Sequence, residues 1–228
     1  MKRTLLIAIC LIGFNAMAQK PAELVAHYEA YYKQMKLQGD AQGVINAMTH
    51  LNVLVPNQAR KDTLAYIYMS EGRNIEALNT IGIESSESDS NMNVEVKAVA
   101  LKALNQPQRA LIHYDVLFNR NPNPKLAYEI AEIRVQIGDF DNAKELITYG
   151  LKTVKPEMKR GFFESQPSYE TTLEGAFYYL QAIILLNEDQ VNNVDASIAL
   201  LDKALALDAD FRLAKLSKDA LEARQKED

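Results

Sequence analysis

Small or turn-forming residues recur every 33 positions along most of this chain. One series places a turn-forming residue at each step: Gly39, Gly72, Asn105 and Gly138. Two further series keep the same interval with mostly small residues: Ala65, Ala98 and Ala131, and then Val44, Ala77, Ala110 and Ala143. Self-similarity at such a period is typical of architectures whose repeated units stack on their neighbours. The sequence therefore predicts an array of structural repeats.

Each repeat has the pattern of two short amphipathic helices. In the copy that begins near residue 125, apolar residues are spaced three or four apart at Leu126, Ile130, Ile133 and Ile137. Gly138 breaks this helix, and a second helix is predicted from about Asn142 to Val154, with Asp139 or Asp141 as its N-cap. Neither helix can bury its apolar face alone, so we predict an all-α fold of stacked helical hairpins.

These positions resemble those of the tetratricopeptide-repeat family, whose unit has a small residue in its first helix, a glycine turn and an early alanine in its second helix. The fourth repeat carries the resemblance most fully, with Ala131, Gly138, Phe140, Ala143 and Pro156. Asn105 replaces one turn glycine, but asparagine also tolerates the left-handed conformation. The resemblance implies an α-solenoid of about five repeats, expected near residues 25–56, 58–90, 91–123, 124–157 and 170–208, and a capping helix at 209–225.

The N-terminus has the layout of a cleaved signal peptide. The basic Lys2-Arg3 pair precedes an apolar run from Leu5 to Phe14, and Ala16 and Ala18 supply small residues at alternate positions. A membrane anchor is the less favoured alternative, because this run has about half of the roughly 20 residues that a span needs. We predict a signal peptide over residues 1–18, a mature domain over 19–228, a periplasmic or secreted location, and no membrane insertion after cleavage.

The residue inventory disfavours most catalytic and cofactor-dependent functions. Cleavage would remove Cys10, the only cysteine, so the mature chain would have no thiol for a disulfide or a metal site. The net charge of -5 disfavours nucleic acid as a partner. The three histidines are scattered, and no phosphate-binding loop or catalytic motif occurs. We expect no catalytic residue, no cofactor and no metal, and predict that the protein is not an enzyme.

The resemblance also implies where a partner binds. In this family the concave face is lined by particular positions of the first helix of each repeat. Among the residues that match these positions, the candidate partner contacts are Glu29, Asp62, Tyr66, Glu95, Tyr128 and Glu132. A row of carboxylates would repel an acidic segment, so we predict a protein or peptide partner that is neutral or basic. The alternative interpretation is that these acids only keep the face soluble.

Two hypotheses for the function follow from the repeats and the predicted export. The favoured one is an exported scaffold or adaptor that binds a partner protein or peptide on its concave face. The alternative is a structural subunit of a larger cell-envelope assembly. The two differ in their expected behaviour, since an isolated obligate subunit should aggregate or oligomerise.

Two segments interrupt the 33-residue period. The first, residues 84–91, contains four serines and three acids and is predicted to be a solvated loop. The second, residues 157–170, contains adjacent Phe162 and Phe163. We predict that both rings pack between the fourth and fifth repeats, because exposed apolar pairs are usually covered. The alternative is that they form a binding element.

Overall fold

A computed structural model describes residues 21–163 and 167–227 of the chain. The predicted signal peptide, residues 1–18, lies outside these residues. The fold is all-α, of the α-solenoid class, with successive pairs of helices joined by tight turns. The chain divides into two compact units, unit 1 up to Ala100 and unit 2 from Leu101.

Unit 1 is formed by two helical pairs and the first part of a fifth helix. The helices are α1 (Pro21–Gln38), α2 (Ala41–Leu54), α3 (Gln58–Ser70), α4 (Asn74–Ile81) and α5 (Asn91–Ala103). Side-chain caps begin α2 and α3, because Asp40 and Asn57 each accept a backbone N–H at 2.9 Å. Within the unit, α1 packs on α2, α2 on α3, and α3 on α4. This arrangement places parts of α1, α2 and α3 next to one another.

Unit 2 holds the larger apolar core. Its helices are α6 (Pro107–Arg120), α7 (Pro124–Gln136), α8 (Phe140–Thr153), α9 (Leu173–Glu188), α10 (Val194–Leu207) and α11 (Arg212–Glu227). The largest buried rings of the core are those of Tyr128, Phe177 and Phe211. The packing is tight at Gly150, where a Cβ atom would overlap the ring of Phe177. A glycine at this position therefore lets α8 approach α9.

The turn series has the backbone conformation that the sequence predicts. Gly39, Gly72 and Gly138 have φ angles of 69°, 73° and 80°, and Asn105 has a φ of 55°. This left-handed region disfavours residues with a Cβ atom, apart from Asn and Asp. The prediction that Asn105 replaces glycine at its turn is therefore confirmed. The alanines of the other two series are fully buried.

The segment between α8 and α9 contains a β-hairpin that the sequence analysis did not predict. Strand β1 (Lys159–Phe162) pairs antiparallel with β2 (Tyr169–Thr172), so that Arg160 lies opposite Thr171. Phe162 is only 7% exposed, and its ring packs against that of Phe211 in a tilted arrangement, with ring centroids 5.2 Å apart. Phe163 is 80% exposed. The prediction that both rings are buried is right for Phe162, the last residue of β1, and wrong for Phe163, which follows the strand.

The side chain of Asp139 does not cap α8. Its carboxylate instead forms an ion pair with Arg134, with Nη1 2.6 Å from Oδ2, and accepts hydrogen bonds from Asn142. Burial raises the pKa of Asp139, but these bonds outweigh it and hold the pKa below its ordinary value. Asp139 therefore stabilises the turn between α7 and α8 as a carboxylate.

Candidate functional site

The six predicted contact residues lie in three different environments. Glu29, Tyr66 and Glu95 are exposed. Glu132 is half-buried in a cluster of ion pairs. Asp62 is 5% exposed and Tyr128 is 1% exposed. The burial of Asp62 and Tyr128 corrects their predicted place on an accessible face.

Asp62 is held by three side chains. Its Oδ1 accepts hydrogen bonds from Gln58 Nε2 and Asn93 Nδ2, both at 2.8 Å, and its Oδ2 accepts one from Ser90 Oγ at 2.6 Å. Burial raises the pKa of Asp62, but these hydrogen bonds outweigh it, so the pKa lies below its ordinary value. The ionised carboxylate therefore joins α3 to the beginning of α5.

A buried lysine fastens the serine-rich loop beside this carboxylate. Lys97 is 2% exposed, and its Nζ donates to the Glu84 carbonyl oxygen and to Asp89 Oδ2, both at 2.7 Å. Its positive charge also helps to lower the pKa of Asp62. Residues 84–88 of the loop are exposed as predicted, while the two bonds from Lys97 hold it at both ends. We therefore interpret Asp62 as a structural residue.

Glu132 belongs to a cluster of opposite charges in unit 2. Lys102 Nζ lies 2.7 Å from Glu129 Oε2 and 2.6 Å from Glu132 Oε2. Arg160, from strand β1, places Nη1 2.9 Å from Glu129 Oε1 and Nη2 3.5 Å from Glu132 Oε2. Burial lowers the pKa of Lys102, but the two carboxylates raise it by more, so the lysine remains charged. The acid predicted to face a partner is thus neutralised within the chain.

Unit 1 contains an open groove of about 500 Å³ between α1, α2 and α3, which we call the α1–α3 groove. It includes Glu29, one of the predicted contact residues. The residues that line it are Glu29, Tyr32, Lys33, Met48, Leu51, Ala59, Arg60 and Thr63. Met48 and Leu51 are buried and give the groove an apolar floor, whereas Glu29 and Lys33 are exposed and form its charged rim.

Charges of both signs are available at this rim. Arg60 is fixed in place, because its Nη1 donates to the carbonyl oxygens of Leu51 at 3.1 Å and Val55 at 2.9 Å, at the C-terminal end of α2. Among the described residues, neither Glu29 nor Lys33 has an ion-pair partner within 4.0 Å. A bound segment can therefore meet an apolar surface and unpaired charges in one place.

One residue of this groove departs from the repeat pattern of the sequence. Tyr32 lies at the position of the alanine series, where later repeats have Ala65 and Ala98. Tyr32 is larger than these alanines and lines the groove, and no residue of α1 is buried. Met48, Leu51 and Arg60 lie outside the first-helix positions that the resemblance supplies, so those positions could not identify them.

Two further kinds of feature are absent from the described part of the chain. No three potential metal ligands come together there. No helix there is both long and apolar enough to cross a bilayer.

The paired helices and the left-handed turn residues at 33-residue intervals define a tetratricopeptide-repeat-like fold. Solved structures include proteins that share this fold. A tetratricopeptide repeat protein from Parabacteroides merdae ATCC 43184 superposes with a TM-score of 0.63 and 16% identity, over 87% of this chain and 72% of that one. The MamA protein superposes with a TM-score of 0.59 and 16% identity, over 82% and 93% of the respective chains.

No family model matches the sequence, and no curated protein does. At 16% identity the two structural matches show the fold alone.

Proposed function

We propose that the protein is an exported, non-catalytic scaffold that binds a segment of a partner protein in the α1–α3 groove. The observation that carries this proposal is the open groove itself, whose lining combines apolar side chains with the unpaired charges of Glu29 and Lys33. Concave sites with an apolar surface and a few polar groups are the usual places where ligands bind. A volume of about 500 Å³ has room for a few side chains of a peptide.

The contact area extends along α3 beyond the groove. Tyr66 lies one turn after Thr63, on the same helical face, and its side chain is 42% exposed. A half-exposed tyrosine offers a rigid apolar ring and a hydroxyl group to a partner. We therefore expect the bound segment to run from the groove towards Tyr66.

The preference for a neutral or basic partner rests on Glu29 and Glu95 alone, since Asp62 and Glu132 are engaged within the chain. Lys33 and Arg60 reduce the negative charge near Glu29. Replacing both exposed acids, Glu29 and Glu95, with lysine tests the charge of the partner. If the preference holds, this variant should bind a basic partner more slowly, with the largest difference at low ionic strength.

Blocking the groove tests the site itself. Ala59 is exposed and lines the groove, so Ala59→Trp adds bulk there without removing a buried group. Ala196→Trp is a matched control, because Ala196 is also an exposed residue in the first turn of a helix. The partner is captured from the native cell envelope and its affinity is then measured with purified proteins. We expect Ala59→Trp to weaken binding at least tenfold and Ala196→Trp to leave it unchanged.

Equal affinities for these two variants and the wild type would place the site outside the groove. The alternative function, a structural subunit of a cell-envelope assembly, is tested by the size of the purified protein in solution. A stable monomer that binds its partner reversibly supports the scaffold. A protein that aggregates or oligomerises without other subunits supports the alternative.

Export is tested separately. We expect the mature protein to begin at or near Gln19, as determined by N-terminal sequencing. An intact Met1 in the membrane fraction would contradict both the proposed cleavage and the proposed periplasmic or secreted location.

A further inference from the structure

The β1–β2 hairpin covers part of α7 with a single cationic side chain. The guanidinium of Arg160 lies against two carboxylates of α7, those of Glu129 and Glu132, and 5.2 Å from the ring centroid of Tyr128. All of these residues belong to unit 2 and are separate from the α1–α3 groove. Glu129 and Glu132 form the anionic side of this site and Tyr128 forms its aromatic side. The guanidinium of Arg160, from β1, lies between them.

The arrangement suits a guanidinium rather than an ammonium group. Nη1 and Nη2 of Arg160 reach different carboxylates from two separate nitrogens, whereas the ammonium of Lys102 reaches both from one nitrogen. The flat face of a guanidinium also stacks on an aromatic ring, and Tyr128 is held rigidly because it is almost fully buried. A lysine would supply only a point charge in this position.

The carboxylates are oriented independently of the hairpin. Lys102 holds Glu129 Oε2 and Glu132 Oε2 from α5, which leaves Glu129 Oε1 directed at Arg160. Lys102 and the two acids together carry a formal charge of -1 without Arg160. A site that is already oriented and carries one uncompensated negative charge would accept another guanidinium with little rearrangement.

The hairpin itself fits this position imperfectly. Thr171, opposite Arg160 in the strand register, is fully buried, and its Oγ1 has no hydrogen-bond partner among the described residues. The Nε atom of Arg160 is also buried without a partner in that part of the chain. Buried donors and acceptors without partners destabilise the docked state. Of the helix contacts in this region, those of α9 with α7 and α8 are made directly, while Phe162 of the hairpin adds its ring to the same core.

From these contacts we infer that Tyr128, Glu129 and Glu132 form an arginine-binding site that the chain fills with its own Arg160. The ligand that the site takes in place of Arg160 is an arginine in an extended segment of a partner protein. The hairpin competes with this ligand from within the chain, so its release and the binding of the ligand are coupled.

Removal of the internal arginine tests the site directly. The full chain with Arg160→Ala is titrated with ethylguanidinium, and melting temperature and calorimetric binding are measured. We expect saturable binding to this variant with millimolar affinity, and at least tenfold weaker binding of ethylammonium. Arg109→Ala is the matched control, because the side chain of exposed Arg109 contacts Gln106 and no carboxylate pair. Saturable binding to neither variant, or equal binding to both, would overturn the inference.

Competition in the wild-type protein tests the role of the hairpin. The probe is a capped Lys-Arg-Gly-Phe peptide, which reproduces residues 159–162. We expect it to bind Arg160→Ala at least tenfold more tightly than the wild type, and to increase amide hydrogen exchange across residues 159–172 of the wild type. Arg160→Lys, which keeps the charge, provides the same comparison if Arg160→Ala does not fold. Binding with unchanged exchange in the hairpin would refute the competition.

Discussion

Among the predicted contact residues, Asp62 accepts hydrogen bonds from three side chains. The variant Asp62→Ala tests whether its role is structural or lies in partner binding. The substitution removes the acceptor for Gln58 Nε2, Ser90 Oγ and Asn93 Nδ2. Gln58 and Ser90 are exposed, so water can satisfy their donors. Asn93 is buried, and its donor would be left without a partner. The neighbouring Lys97 would also lose a nearby negative charge.

These losses set the expected magnitude. A buried donor without a partner costs about 1–3 kcal/mol, and the loss of a charge near a buried ion adds to it. We therefore expect Asp62→Ala to lower the free energy of unfolding of unit 1 by about 3 kcal/mol. Glu95→Ala is the matched control, since Glu95 lies at the same repeat position but is exposed, and it should change stability by about 0.5 kcal/mol or less.

Urea denaturation followed by circular dichroism measures the overall loss. Hydrogen exchange resolves its location, because the two units need not unfold together. Protection should fall across α3 and the beginning of α5 in Asp62→Ala and remain in Glu95→Ala. The reasoning is refuted if the two variants are equally stable. It is also refuted if Asp62→Ala loses partner binding while retaining wild-type protection in α3.

Three more predictions follow from the same contacts. Because the folded pKa of Asp62 is depressed below its ordinary value of 3.8, its stabilisation is present above that pH and lost as the pH falls through the folded pKa. Urea titrations should therefore show the advantage of wild type over Asp62→Asn shrinking below about pH 4. Gly150→Ala should destabilise unit 2 by about 1–3 kcal/mol in thermal melts, because the added Cβ overlaps the buried Phe177 ring; an unchanged melting temperature would contradict this packing. Phe162→Ala should cost about 3 kcal/mol or more and Phe163→Ala about 0.5 kcal/mol or less, and equal losses in denaturant titrations would contradict their opposite burial.

Local physics explains which parts of the fold could be predicted from the sequence. The left-handed turn at Asn105 and the buried alanines depend on residues within one repeat, and the 33-residue interval repeats that information along the chain. The hairpin did not follow from the sequence, because strands of four residues are too short for a clear alternation of polar and apolar side chains. The ion pairs of Arg160 also join residues about 30 positions apart, and the periodicity of a sequence does not predict such pairs.

The candidate site shows why equivalent repeat positions need not have equivalent roles. Asp62 and Glu95 are 33 residues apart, but Asp62 accepts hydrogen bonds from Ser90 and Asn93, which lie 28 and 31 positions further along. The corresponding positions for Glu95 hold Asn123, whose side chain caps α7, and Leu126, which has no side-chain donor. One acid is therefore buried in a network and the other stays exposed. The difference lies in the following repeat, which a motif match within one repeat does not consider.

The next member of that series is Tyr128, and the hairpin determines its role. Tyr128 and Glu132 are one turn apart on α7, as Asp62 and Tyr66 are on α3. On α7, Arg160 contacts the side chains of both Tyr128 and Glu132. On α3, Tyr66 remains exposed. An insertion between two repeats has thus changed which part of a repeated surface is accessible. In unit 1 a partner that recognises these helix positions would find Tyr66 exposed, and in unit 2 it would reach Glu132 only by displacing Arg160.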